Sequence, residues 1–459
     1  MVKIVRKIIL FGFLFTVPIC SFSQGTHDRL PDIWNKVKKD YPGLASKEVR
    51  IEAAKLNEKA IVGERLPQIK GQAQNTYATY ESTMGAFFPQ AGLFNVSGSD
   101  QLTGASFSPN TYASATIEWE LFSFGKMKNK AKAAQSNTQK INFEKEAYRL
   151  ELKKEVVLRY ISVLYSESQL ESNMKNVERL KKLTHITASL SRAGIKSHAD
   201  SLLASSSYQQ ALGENEKWKG EKNAAWIRLR ELYGNEDLNL LHVHSSFLNP
   251  IQTLKENREE QMQSHPSLEV VRYTQEYLQY SGKSQKKTSL PSISLLGGYA
   301  IRGTGIGADG WVSNKWKDGF SNSANNALIG IGITWNFTDV FTQNKRGESQ
   351  MKEAESVGLF YNKHQQSLEA QLSAIQNKIS HQYVEVQKTK QALEQAEQAY
   401  SMYFARYESG LMDLSTLLQI QQLLEQAENK HITTAYNYWS LIAVESELIN
   451  NFDYLFNNL

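Results

Sequence analysis

From Lys126 to Arg192 the chain contains neither proline nor glycine. The stretch keeps a helical pattern, and at about 1.5 Å per residue such a helix reaches roughly 100 Å, over three times the ~30 Å hydrocarbon core of a bilayer. Charges such as Glu144, Glu146, Lys153, Lys154 and Glu155 run along it, so the helix has to stand in water. Leu170, Met174, Val177, Leu180 and Leu183 recur at three- and four-residue steps, the spacing of helices that wrap on one another. Gly194 breaks the pattern, and a second helix is predicted from about Ala199 to Leu232. With only nine prolines in 459 residues, long uninterrupted elements are the expectation throughout.

A different period precedes each long helix. In the stretch Asn326 to Arg346, Ala327, Ile329, Ile331, Ile333, Trp335 and Phe337 alternate with Leu328, Gly330, Gly332, Thr334, Asn336 and Thr338, a period of two with one strongly apolar face. The other face is small or polar, whereas a strand buried on both sides reads as a continuous apolar run. Such a strand, ending in Trp and Phe, fits the wall of a transmembrane barrel with an aromatic girdle; a half-buried strand of a soluble sandwich is the other reading. An internal copy favours the barrel. Thr111, Ala113, Ala115, Ile117, Trp119 and Leu121 form one face of a second such strand, against Tyr112, Ser114, Thr116, Glu118, Glu120 and Phe122.

The copy extends further. Tyr41-Pro42-Gly43-Leu44 echoes His265-Pro266-Ser267-Leu268, Leu66-Pro67-Gln68-Ile69 echoes Leu290-Pro291-Ser292-Ile293, and Arg192-Ala193-Gly194-Ile195 echoes Glu408-Ser409-Gly410-Leu411. The spacing between copies changes only within the hairpins, so the chain reads as a tandem duplication whose length difference sits in a hairpin loop. The first repeat is 24–247, with a β-hairpin over 66–122 and a helical hairpin over 126–232. The second is 248–459, with a β-hairpin over 290–338 and a helical hairpin over 344–449 whose seam is Leu368, Leu372, Ile375, Ile379, Val386 and Leu393. Residues 83–108 and 303–325 read as long exposed loops, and 251–262 as a helix. Residues 1–23 read as a secretory signal: Lys3, Arg6 and Lys7 precede the apolar run Ile8 to Cys20, followed by small Ser21 and Ser23. Lipidation at Cys20 is disfavoured by the bulky Ile19.

Lys and Arg total 52 against 47 Asp and Glu, and three of the basic residues lie in the signal, so nothing points to nucleic acid. The single cysteine, Cys20, leaves no disulfide framework and no thiolate metal site. His242 and His244 would share one face of a strand but have no obvious third ligand, so neither a metal nor a cofactor is expected. The basic run Lys126, Lys128, Lys130 and Lys132 meets lipid head groups or phosphate at the membrane boundary, or is a solvated helix face. No Ser/His/Asp spacing, phosphate loop or paired carboxylates stand out, so no enzyme is expected. No later segment has 18 consecutive apolar residues, and any entry into a membrane has to use strands.

Four strands cannot close a barrel alone, and an open edge in lipid leaves unsatisfied backbone groups, so copies of the chain must associate. Two copies supply eight strands and three supply twelve. All helices fall on one side of the membrane and both long loops on the other. The result is a pore continued by a helical tube.

On these residues the chain resembles the TolC-like outer membrane efflux protein family. The carriers are the paired proline entries, Ile117-Glu118-Trp119-Glu120-Leu121-Phe122-Ser123-Phe124-Gly125, and Arg406-Tyr407-Glu408-Ser409-Gly410-Leu411 followed by Leu414-Ser415-Thr416-Leu417-Leu418. The resemblance implies a mainly α protein with membrane β: a homotrimer sharing a twelve-stranded outer-membrane barrel, with a periplasmic coiled-coil tunnel reaching an adaptor (membrane fusion) protein and an inner-membrane pump of RND or ABC type. It implies periplasmic tips at Gly194, Ile195, Gly410 and Leu411 and a gate at Asp200 and Tyr407; Trp119, Trp335 and Phe337 are expected as the membrane girdle. Met412, Thr416 and Gln419 depart from the family's basic latch and acidic ring, so closure is expected to rest on packing more than on ion pairs. The rival functions are an outer-membrane duct for type I protein secretion and a soluble periplasmic coiled-coil scaffold.

Overall fold

A computed structural model describes residues 30–79, 85–86, 96–97, 103–234, 244–252 and 265–459. The signal with Cys20, most of the first loop, the pairing of His242 with His244 and most of the helix expected over 251–262 lie outside them.

The helices are α1 (Leu30–Asp40), α2 (Pro42–Gly63), α3 (Lys126–Arg192), α4 (His198–Tyr233), α5 (His244–Leu248), α6 (Pro266–Lys287), α7 (Asp339–Glu408), α8 (Leu414–Leu448) and α9 (Asp453–Asn458). α3 runs 67 residues and α7 runs 70. Pro42 and Pro266 open α2 and α6 in the first turn, where a missing N–H costs nothing. α3 packs on α2, α4, α6 and α8, and α7 packs on α6 and α8. α7 keeps the expected seam, with Leu368, Leu372, Ile379 and Val386 buried.

The seam of α3 keeps Leu180 and Leu183 buried and Leu170 and Val177 half-buried, but Met174 is exposed, and Gln169, Ser172, Asn173, Asn176 and Thr187 are buried beside it. Helices meet α3 on several sides, so the buried stripe is set by where α4 and α8 lie, and polar side chains fill part of it. Two cores result. The larger joins Val156, Tyr160, Ile161 and Leu164 to Ile33 and Trp34 of α1, Leu229 of α4, Trp439 and Ile442 of α8, and Phe452 and Leu455 near the C-terminus. There Trp439 Nε1 donates to the Phe247 carbonyl (2.8 Å) and the Tyr160 hydroxyl to the Leu459 carbonyl (3.2 Å). The smaller core holds Leu180, Leu183, Ala204, Ala211, Tyr407, Leu414 and Leu417 near the far turns of both helical hairpins.

The strands are β1 (Gln68–Thr79), the two-residue β2 (Gly85–Ala86), β3 (Val96–Ser97) and β4 (Thr103–Gly104), then β5 (Phe107–Phe122), β6 (Ser292–Thr304), β7 (Trp311–Val312) and β8 (Ala324–Thr334). The four long ones form an antiparallel sheet in the order β1-β5-β6-β8, so the two hairpins are joined through β5 and β6. The second loop is more structured than expected: it carries β7 and a short 3-10 helix, Trp316–Phe320.

Candidate functional site

Strand register fixes which residues share a face, because directly paired residues point the same way. Ile69 pairs with Ile117, Ile117 with Gly297 and Gly297 with Ile329; Trp119 pairs with Leu295 and Leu295 with Ile331. All apolar alternations therefore lie on one side of the sheet. The other side carries Gln68, Lys70, Gln72, Thr116, Glu118 and Asn326, with Leu296 and Leu328 as apolar exceptions. Ile329, Ile331 and Ile333 are 84%, 73% and 72% exposed. Three isoleucines in a row at that exposure need an apolar surrounding that the chain itself does not supply.

From the Ile293–Ile333 pair to Gly303 the apolar face of β6 spans ten residue steps, about 33 Å along the strand. Tilted by 35–45°, as in membrane barrels, it stands about 25 Å tall, the height of the lipid-facing band of such barrels. Aromatic residues close both ends of the band. At the helix end Trp119 Nε1 donates to the Arg65 carbonyl (2.9 Å), and Trp335 Nε1 to the Ser289 carbonyl (3.1 Å), the same bond made to corresponding residues of the two copies. Trp335 and Phe337 lie beyond the end of β8 at Thr334, with ring centroids 4.4 Å apart, in the turn into α7. A bulge between Glu120 and Phe122 sets Phe122 opposite Ile293. This moves Phe122 to the apolar side, against the simple alternation, and its ring lies 4.7 Å from that of Phe124.

The second aromatic pair was not legible in the sequence. Gly303 and Gly319 have no side chain, and that lets the 3-10 turn lie flat on the sheet's apolar side: a Cβ on Gly303 would come within 2.6 Å of the Gly319 carbonyl, and one on Gly319 within 2.9 Å of Pro109. Trp316 and Phe320, exposed and 5.0 Å apart, are thereby held at the loop end of the band. The signal was present as aromatics in a glycine-bearing loop, but the fold-back joins residues distant in sequence.

The lysine run is only partly free. Lys126 pairs with Glu120 (2.8 Å), Lys130 pairs with Glu64, and the Lys132 ammonium lies 5.1 Å from the centre of the Tyr280 ring. These contacts fasten the root of α3 to the sheet, to the end of α2 and to α6. Beside them a cavity of about 1100 Å³ opens between Arg65, Glu118, Trp119, Lys128 and Gln350.

The far turns of the helical hairpins are built alike. Gly194 (φ +72°) and Gly410 (φ +74°) take the left-handed conformation. Each turn closes with paired backbone bonds, Ile195 N–H to Leu190 C=O (3.0 Å) and Gly194 N–H to Ser191 C=O (3.0 Å) in one, Leu411 N–H to Arg406 C=O (2.9 Å) and Gly410 N–H to Tyr407 C=O (3.0 Å) in the other. The next helix is capped by Ser197 or by Asp413. The Thr416 N–H and the Ser415 and Thr416 hydroxyls all donate to the Asp413 carboxylate and hold it down to about pKa 2. Ile195 and Leu411 are left exposed at the apices.

Tyr407 is buried in the smaller core, and its hydroxyl has no hydrogen-bond partner among the described residues. Burial, and then the charge of half-buried Asp200, push the phenol's pKa up. The structure thus brings Asp200 near Tyr407 without a hydrogen bond between them. Met412 packs against the same core, and Gln419 is exposed. Behind this core, Arg179 of α3 grips Glu428 of α8 with two bonds (2.9 and 2.8 Å), the Ser172 hydroxyl donates to the same carboxylate (3.1 Å), and Gln421 donates to Asn176 (2.5 Å). This polar clasp went unread in the sequence; polar residues at three- and four-residue steps in both helices were its signal.

Among the described residues no helix is long and apolar enough to cross a membrane, and no group of three or more His, Cys, Asp or Glu is placed to hold a metal ion.

The sequence profile described as outer membrane efflux protein matches residues 35–235 and 258–440. A comparison with curated protein sequences finds no match. Among solved structures, the fold is similar to the outer-membrane channel OprN (14% identity, 92% of this chain and 90% of that one, TM-score 0.74). It is also similar to the outer membrane protein VceC of Vibrio cholerae (15%, 92% and 96%, 0.70) and to the open state of the MtrE outer membrane channel of Neisseria gonorrhoeae (14%, 92% and 89%, 0.71).

Proposed function

The chain belongs to the outer membrane efflux protein family, and from that premise we propose that three copies form the exit duct of a tripartite efflux system, passing small molecules from an inner-membrane pump and a periplasmic adaptor to the exterior. Its place is the cell outer membrane, with a helical extension into the periplasm.

The observation that carries this reading is the pair of free sheet edges, β1 and β8, beside an exposed apolar face. Four strands alternate in direction, so β8 of one copy runs antiparallel to β1 of the next, and identical copies can continue one sheet around a ring. Eight strands enclose a space that side chains fill, whereas twelve leave room for water. The polar face then lines a lumen. The tips at Gly194, Ile195, Gly410 and Leu411 offer two exposed apolar side chains to an adaptor, and Asp200 and Tyr407 stand where a gate would be. The two-repeat division, 24–247 and 248–459, gives one hairpin of each kind per repeat.

In the test, cells lacking the gene are loaded with a fluorescent dye that the intact strain expels. The parent chain is expected to restore export. Ile195→Glu with Leu411→Glu is expected to assemble and conduct normally yet fail to restore it. Export that persists in the deletion strain, with loss of a secreted protein instead, would overturn small-molecule efflux in favour of protein secretion.

A further inference from the structure

The polar face of the sheet has an uneven charge pattern. Along the four long strands its charged residues are Lys70, Glu118, Glu120 and Arg302. Three of them lie toward the helix end. Glu120 pairs with Lys126, and Lys70 is a diagonal neighbour of Glu118, since Gln68 pairs with Glu118 and Lys70 with Thr116. Arg302 stands apart, paired in register with Tyr112 and Ala324 near the loop end. Glu118 pairs with Leu296, six residue steps from Arg302, which is about 20 Å along the strand. The screening length is about 10 Å at 0.1 M salt, so that carboxylate does not cancel the field of Arg302.

The guanidinium is exposed and makes no ion pair among the described residues. It borders a cavity of about 460 Å³ whose other walls include Gln74, Asn110, Asn322 and Asn326. Asn322 donates to the Ile306 carbonyl (2.9 Å) and, with the Gly305 N–H to Pro109 carbonyl bond (2.9 Å), holds residues 306–308 of the loop beside this cavity. One cation among neutral amides, on the water side of the wall, is a setting that attracts negative charge and repels positive charge.

We propose that Arg302, repeated around the ring, makes the outer mouth of the conduit an anion-attracting collar that favours exit of solutes bearing carboxylate or phosphate groups over cationic ones. This rests on the three-copy conduit reading above, and the test separates the two.

Ala300 shares the polar face with Arg302 two residues away, about 7 Å along the strand. Ala300→Cys therefore places a thiol inside the collar, and Cys20 is the chain's single native cysteine. Methanethiosulfonate reagents of opposite charge are applied from outside to membranes carrying this variant, with the unsubstituted protein as background. Their rate ratio, corrected for each reagent's rate with a free thiol, reads the local potential.

One guanidinium at about 7 Å and two more at roughly twice that distance give a ratio favouring the anionic reagent about fivefold at 0.1 M salt. The ratio rises to about fifteenfold at 0.01 M and falls below twofold at 1 M. Adding Arg302→Gln is expected to bring it to near one at every salt concentration. A ratio near one with Arg302 present, or one unchanged by Arg302→Gln, overturns the collar while leaving the conduit standing. If neither reagent reacts until the protein is unfolded, the conduit reading fails and the collar with it.

Discussion

Replacing Arg179 by Met tests what holds the two helical hairpins of one copy together. Glu428 keeps only 7% of its side chain exposed, and Arg179 is the cation paired with it, through two bonds of 2.9 and 2.8 Å. Without Arg179 the carboxylate keeps the Ser172 hydroxyl, at 3.1 Å, as its remaining donor in the clasp. Stranding a buried charge in this way costs about 3–5 kcal/mol. Glu428→Leu strands the guanidinium instead; its side chain is 19% exposed and can turn toward water, so the cost is smaller. The double variant leaves no lone charge and packs apolar groups in the same space, and it is expected within about 1–2 kcal/mol of the parent. Amide exchange followed by mass spectrometry is the assay, because barrel proteins unfold irreversibly as a whole while their helices open locally. In Arg179→Met, protected amides of α3 near 172–183 and of α8 near 417–431 should exchange a hundred to several thousand times faster, with the sheet unchanged. The double variant should exchange within about thirtyfold of the parent. If it exchanges as fast as Arg179→Met, the reasoning from charge burial is wrong.

Tyr407→Phe removes an unpartnered buried hydroxyl and is expected to leave thermal stability unchanged or raise it slightly, whereas Tyr407→Ala costs about 3–5 kcal/mol. In bilayer recordings Tyr407→Ala should raise resting conductance more than Asp200→Ala if packing keeps the channel closed. Gly194→Ala and Gly410→Ala meet no atom within 4 Å, so each should cost only the left-handed strain of about 1 kcal/mol, seen as faster exchange confined to the tips. His265, buried and next to the His364 charge, has its pKa lowered from 6.5 to about 4. The unfolded chain thus takes up this proton first, and stability should fall as pH drops from about 6.5 to 4, by up to ~3 kcal/mol. His265→Asn should flatten that part of the pH dependence of amide protection around the start of α6, measured by exchange and mass spectrometry after correction for the intrinsic exchange rates.

What could be read in the sequence followed locality. The long helices, their glycine breaks and the strand alternation are periodic over neighbouring residues, and α3 and α4 end within a residue or two of expectation. The two Trp bonds link residues that the internal copy had already aligned. Other features needed the third dimension. The bulge that turns Phe122 outward is set by pairing with β6, so alternation within β5 misassigned it. Met174 fitted a heptad but faces solvent, because the buried stripe of α3 is fixed by where α4 and α8 pack. The Arg179–Glu428 clasp joins repeats hundreds of residues apart, and no single segment announces it. The fold-back of Trp316 and Phe320 depends on two glycines that meet only when β6 and the loop stack.

The sheet cannot end in lipid at β1 and β8, so each must meet the other on a neighbouring copy. Imaging the detergent-extracted particle by electron microscopy is the direct test. The account requires three copies around one axis, twelve continuous strands with every β8 beside the next β1, and a helical tube about 100 Å long on one side. A particle holding one copy, two copies, or β1 paired with β1 would contradict it.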